Sequence, residues 1–286
     1  MLELKDSRWA HEIVSLQSEE GNWGYFHTLS NPTKSRPMTT EQALRRLQIL
    51  GFSIDDLPIK KAVSYLHDCL TGAKQIPDRR EKLHNWDIFT PLMFSTWIRR
   101  FTLDDALANQ TASLWAEILG HAFMSGIYDH NRYVKAYHQV FNLNPRGGRL
   151  IDFVNFYLVS ILSNLLDEKS EQSLFDYLLN HESGIYYIYG ESLSHPPQDF
   201  QSKQASRYLG AIELLAAYHN PHCKAKLKFV GEWLDQNRDP DGLWDMGSSV
   251  KDGIYFPLSD SWRTIEARKQ DCTYRITKLI SNLGLH

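Results

Sequence analysis

Trp233-Leu-Asp-Gln-Asn-Arg-Asp-Pro-Asp-Gly-Leu-Trp244 closes one helical run and opens a turn. Leu227, Phe229, Val230, Trp233 and Leu234 give the run its apolar side, and it stops at Gln236. Asp239-Pro240-Asp241-Gly242 is turn chemistry, because proline fixes φ and glycine is free to take φ > 0. Leu243-Trp244 follow. Near the other end of the chain, Gln17-Ser-Glu-Glu-Gly21-Asn-Trp23 has the same plan in shorter form. A helix stops at Gln, a Gly turn follows, and a Trp stands two residues past the Gly. A Gln amide can stack on an indole and still bond the backbone groups left free at a helix end.

The plan recurs along the chain. Gly21, Gly72, Gly126, Gly184 and Gly242 each end a helix-like run, at intervals from 51 (Gly21 to Gly72) to 58 (Gly184 to Gly242) residues. Trp23, Tyr128, Tyr186 and Trp244 stand two past their glycine, and Lys74 breaks the rule after Gly72. Thr39, Asn144, Ser202 and Asp260 lie 18 residues beyond their glycine, at or near the start of the next helical segment. A fixed period of this length is the mark of a repeat architecture.

Helical spacing fills the intervals. Helices are expected around Trp9–Gln17, from Thr39 (capping-box spacing with Gln42) to Gly51, from Pro58 through Leu70, and over His84–Arg100 with Pro91 inside. Thr102 and Asp105 open another. A very apolar helix is expected from about Leu150 to Leu166 after the Pro145–Gly148 turn. Leu174, Tyr177 and Leu178 belong to the next, followed by about Phe200–Tyr218, His222 to beyond Gln236, and about Asp260–Leu283. Ten helices in five pairs, with no long strand pattern, predict an all-α fold. It would be one domain over residues 1–286, an α/α toroid or open ring with the more apolar second helices inside.

Composition agrees with a folded chain: 286 residues, 42% hydrophobic and 23% charged. A net charge of -3 gives no electrostatic footprint for nucleic acid. Cys69, Cys223 and Cys272 are odd in number and far apart, which fits a reducing compartment better than a disulfide framework. The charged start MLELKDSRWAHE and the absence of a bilayer-length apolar run lead to the expectation of a cytoplasmic protein.

The stretches WLDQNRDPDGLW and LQSEEGNW resemble the Gln-Trp repeats of squalene–hopene cyclases and other terpenoid cyclases, whose core is Gln-x(2–5)-Gly-x-Trp. Protein prenyltransferase β-subunits share that family's toroid. The likeness is close at the two ends, weaker at Gly126 and Gly184, and poor at Gly72. It implies the ring and a hydrophobic ligand, prenyl among the candidates, in an aromatic-lined cavity. The Asp-x-Asp-Asp acid motif of class II cyclases is missing: Asp55-Asp56, Asp104-Asp105 and Asp239-Pro-Asp241 are all incomplete. Asp271-Cys272-Thr-Tyr274 lacks the His that would complete a prenyltransferase zinc set, and aspartate-rich diphosphate motifs are not found. The sequence therefore implies no cofactor and no metal, and it sets no oligomeric state.

Polar residues at inner-helix starts would line the hollow end of such a ring. Asp87, beside Trp86, is the expected proton donor, since an indole wall would desolvate it and raise its pKa. The bland alternative is an Asp in a first helical turn, and the same holds for Asp104-Asp105. Asp152 with Arg149, and Arg207 with Tyr208, are expected to bind ligand; otherwise they are a helix-face ion pair and a solvated Arg beside a packed Tyr. Trp262, Arg268, Asp271 and Arg275 form the fullest set. At spacings of three and four, Asp271 would sit between two guanidiniums and set them for an anionic group, or the three would make a solvated ladder. His219-Asn-Pro-His222-Cys223 holds metal-capable groups in a helix–helix turn. Tyr186 to Tyr189 would line a cavity or pack beneath the turn. Two further readings stand beside the hydrophobic-ligand one: a carbohydrate-active α/α barrel using paired carboxylates, and a protein-interaction scaffold.

Overall fold

The helices begin where short polar side chains can bond free backbone N–H groups. Ser7 caps α1 (Arg8–Ser15), and Thr39 caps α2 (Thr40–Ile49) with a full capping box, its hydroxyl accepting from Gln42 N and its own N donating to Gln42 Oε1 at 2.9 Å. Pro58 starts α3 (Leu57–Leu70), and Asn85 caps α4 (Trp86–Arg99). α5 (Ala106–Ala122), α6 (His130–Phe141), α7 (Phe156–Leu162), α8 (Glu168–Asn180), α9 (Lys203–Leu215), α10 (Pro221–Lys226), α11 (Lys228–Gln236) and α12 (Ile265–Leu283) follow. This computed structural model describes residues 4–27, 30, 33–35, 37–143 and 150–285. The fold is all-α, with no strand among the described residues; two isolated bridges, Asn155 to Tyr186 and Ile185 to Tyr189, are its nearest approach to sheet.

Where the glycine period predicts one domain, the chain groups into two compact units. Unit one is Met1–Ala112 with Gly253–Asp260, and unit two is Ser113–Asp252 with Ser261–His286.

In unit one, α3 packs along α4, and Leu44, Leu47, Ile59, Leu66, Met93 and Trp97 are fully buried. α4 is buried on every side from Leu92 to Ile98, as its apolar sequence requires. α2 departs from the expected apolar inner helix, because it buries Glu41, Arg45 and Arg46 as well as Leu44 and Leu47. Two of those charges are answered within unit one. Glu41 accepts from Trp97 Nε1 at 2.8 Å, and the Arg46 guanidinium donates to the carbonyls of Ile254 (2.9 Å) and Pro257.

Unit two differs from expectation in its boundaries. α6 occupies residues that carried no predicted helix; Asp129 caps it, and Tyr133, Ala136 and Tyr137 form its buried stripe. The helix expected over Leu150–Leu166 is cut to Phe156–Leu162, because Asn155 caps it by accepting from Tyr157 N and Leu158 N. The helix around Gln236 is two pieces, α10 and α11, that break at Leu227. The last helix starts at Thr264–Ile265. Asp260, expected at that start, instead accepts from the N of Arg8 at 2.7 Å within unit one. Likewise Asp105, not Thr102, caps α5 by accepting from Ala108 N at 2.8 Å. Asn144, the Pro145–Gly148 turn and Arg149 lie outside the described residues.

Candidate functional site

The two Gly-Trp loops are built alike, bond for bond. Trp23 Nε1 donates to Ile13 O and Trp244 Nε1 to Leu234 O, each at 2.7 Å and ten residues back. Ser18 N donates to Asn22 O at 2.8 Å, and Asp239 N to Leu243 O at 2.9 Å. Gly21 N reaches Ser18 O as Gly242 N reaches Asp239 O. Each Trp backbone N donates to a threonine hydroxyl at 3.0 Å, Thr40 in one case and Thr273 in the other. Both indoles are buried. Gly21 has φ +99°, and a Cβ there would lie 2.3 Å from Lys61 O, so backbone and space both demand glycine.

One part of the expected motif is misplaced. Gln17 Nε2 donates to Gly21 O (2.9 Å) and to Pro58 O (2.8 Å). The residue that does the first of these jobs in the other loop is Arg238, whose Nε donates to Gly242 O at 3.0 Å and whose guanidinium lies 4.8 Å from the Trp244 ring. Gln236 is two positions too early. The loops after Gly126 and Gly184 are built differently. Asp129 N returns to Ala122 O, and exposed Tyr186 exchanges backbone bonds with Val154 and Phe156. In the Tyr186–Tyr189 run, Tyr189 is buried against Tyr208, with ring centres 5.4 Å apart.

On α12, Asp271 and Arg275 are buried and Arg268 is half-buried, and their pairings differ from those predicted. Asp271 is fully buried and accepts from half-buried Trp262 Nε1 at 2.5 Å. Arg268 holds Asp245 in a two-pronged pair at 2.6 and 2.7 Å. That hydrogen bond, first among the causes, keeps the Asp245 carboxyl below the usual carboxylate range against the opposing effect of burial. Arg275 reaches across to α9. It pairs with Glu213 at 2.6 Å (Nε to Oε1) and 3.1 Å (Nη2 to Oε2), and bonds Ser206 Oγ at 3.0 Å and Ser206 O at 3.1 Å. Both guanidiniums thus spend their forks on carboxylates of unit two, which leaves them ill-suited to capture an anionic ligand. Asp245, Glu213 and Ser206 are the residues that helical spacing missed.

Asp87 does not have the desolvated setting expected of a proton donor. Its side chain is 74% exposed and paired with Arg80, and half-buried Trp86 packs toward Phe89. Asp152 is also exposed; its Oδ1 accepts from Val154 N at 3.2 Å and from the Tyr177 hydroxyl at 3.5 Å. Arg207 is solvated, while Tyr208 is fully buried and donates to Leu193 O at 3.0 Å. Asp152 borders a packed aromatic cluster of Phe123, Tyr128, Tyr133, Phe153 and Tyr177, with neighbouring ring centres 4.8–6.3 Å apart. Burial, with Asp152 adding to it, pushes the Tyr128 hydroxyl up to about 12.

Among the described residues, no group of three or more His, Cys, Asp or Glu could hold a metal ion, and His222 of the HNPHC turn faces Asp176 at 3.3 Å. No described helix is long and apolar enough to cross a membrane. A groove of about 560 Å³ runs in unit two between α11 and the Pro196–Gln198 segment. Comparison with known protein families, with curated proteins and with solved structures finds no match for this chain.

Proposed function

We propose that this chain is an α/α-repeat protein of the terpenoid-cyclase type that holds a hydrophobic ligand of the prenyl class without protonating it. The observation that carries the reading is the matched pair of Trp23 and Trp244 loops, which reproduce one hydrogen-bond plan at the two motif-bearing ends. They support the lineage, because each loop ties a Trp side chain to the helix before it and the backbone N of the same Trp to the helix after it. The absence of proton-initiated chemistry in this reading rests on two facts. The Asp-x-Asp-Asp motif is missing, and Asp87 is exposed and neutralised by Arg80. A carboxyl that donates a proton to an alkene needs a desolvated setting; the Asp87 side chain is in solvent.

The test is native mass spectrometry of the purified full chain, followed by titration with farnesol, farnesyl diphosphate and squalene read by tryptophan fluorescence. The reading expects a co-purifying lipid or a saturable response to at least one isoprenoid, with no cyclised product. Neither a bound lipid nor any saturable response would discard it.

A further inference from the structure

The groove of unit two is lined in a way that an apolar ligand does not explain. Phe229, Glu232, Trp233 and Gln236, spaced by three and four, lie along one face of α11. Pro197 and Gln198 form the opposite wall. Trp233 Nε1 donates to Pro197 O at 3.2 Å, so the two walls are tied and the width between them is set. The same indole packs edge-on against Phe200 and Tyr208, with ring centres 5.1 and 5.5 Å away. Half-buried Phe229 supplies the accessible ring of the floor. Gln198, Glu232 and Gln236 are exposed at the rim, and none of the three bonds another described residue through its side chain.

We propose that this groove binds a short neutral oligosaccharide; the inference does not rest on the prenyl reading. A pyranose ring has an apolar C–H face, which suits Phe229 and Pro197, and a rim of hydroxyls that both donate and accept. Glutamine amides also do both, and a carboxylate accepts from two hydroxyls. A purely apolar ligand would strip water from three polar side chains and return nothing. A proline-rich peptide reads grooves of this kind through aromatic walls and polar donors, but here the indole N–H is already given to Pro197. An acidic sugar would meet Glu232. Glu232 is also the one carboxylate among the described lining residues, so the opposed pair needed for glycoside hydrolysis is not assembled and the sugar is bound intact. The groove's volume lies within the range of about 300–1,000 Å³ seen for small-ligand sites.

The experiment is calorimetric titration of the full chain with maltotriose, cellotriose and chitotriose, up to about 10 mM, a range that reads Kd values near 1 mM. A decaproline peptide and farnesol serve as competitors. At least one trisaccharide is expected to bind saturably, and Phe229→Ala to weaken it at least ~10-fold, the scale of a lost ring contact. Glu232→Gln, at an exposed position that leaves the fold intact, should weaken it several-fold and keeps the test decisive if the Phe229 variant misfolds. No binding by any trisaccharide, equal binding by both variants, or displacement by decaproline or farnesol would overturn the proposal.

Discussion

Arg238 stands in its loop where Gln17 stands in the other, each donating to the carbonyl of a glycine four residues on. The glutamine that marks the motif in sequence, Gln236, has no part in this. Gln17→Ala should cost about 1–3 kcal/mol, since two bonds worth about 0.5–1.5 kcal/mol each are lost. Arg238→Ala should cost about 1 kcal/mol through the carbonyl bond and the stacking on Trp244. Gln236→Ala should stay within about 0.5 kcal/mol of the parent chain. Urea denaturation of the three variants checks the order; a Gln236 effect as large as that of Gln17 would contradict it.

Trp23 and Trp244 are each 2% exposed. Trp→Ala at either should destabilise by about 3–5 kcal/mol through the cavity it opens. Trp→Phe separates packing from bonding, because it keeps most of the ring and removes one hydrogen bond, while Ile13 O and Leu234 O still accept from Leu16 N and Asn237 N; it should cost about 0.5–1.5 kcal/mol. Denaturation midpoints ranked parent, Phe, Ala at both loops are the expected result.

The Arg268–Asp245 pair gives the protein an acid-sensitive tie. Asp245 has its carboxyl pKa lowered in the folded chain. Its contribution is therefore complete above the unfolded value of about 3.9 and is lost as pH falls through the lower folded value. Asp56 and Asp167 are lowered too, Asp56, against the opposing effect of burial, by Lys5 and Ser53, and Asp167 by Ser170, and they act in the same window. Asp245→Asn should accordingly reduce, without abolishing, the loss of stability below about pH 4. Melting curves from pH 7 to 2 test this; an unchanged slope would mean that the pair carries no linkage.

Cys69, Cys223 and Cys272 are buried thiols whose pKa is pushed up by burial to about 11, 12 and 12. Since the thiolate is the nucleophile, none should react with iodoacetamide in the native protein at about pH 8, and all three should react in urea. Intact mass counts the adducts, and fast labelling of native protein would refute this account of the thiols.

The parts of the fold legible in the sequence were those written locally. The Thr39–Gln42 box, Pro58 at a helix start and the apolar run of α4 each name their own structure within a few residues, as do the two Trp turns. α6 was hidden because His130, Asn131, Arg132 and Lys135 surround its short stripe, although Asp129 three residues before Arg132 is a cap signal. On α12, spacing identified Arg268, Asp271 and Arg275 as one face. It did not find Asp245 and Glu213, whose bonds to that face span 23 and 62 residues, because helical periodicity carries no information about partners on other elements. For Asp87 the sequence pattern gives a helix start beside an indole, and nothing in it places Arg80, seven residues earlier, beside that carboxylate in solvent.

The strap from Gly253 to Asp260 belongs to unit one although it follows nearly all of unit two in the chain. It receives the Arg46 guanidinium on its carbonyls, the Trp9 indole N–H on Ser259 O at 2.9 Å, and the N of Arg8 on Asp260. During synthesis, the first hundred or so residues can form α1 to α4, but Arg46 gains its bonds to Ile254 O and Pro257 O only when the strap leaves the ribosome. At about 5–20 residues per second that delay lasts some ten seconds or more. Completion of the amino-terminal unit is thereby tied to translation of the carboxy-terminal one, and a message cut short before the strap would release a chain with a buried guanidinium lacking these acceptors.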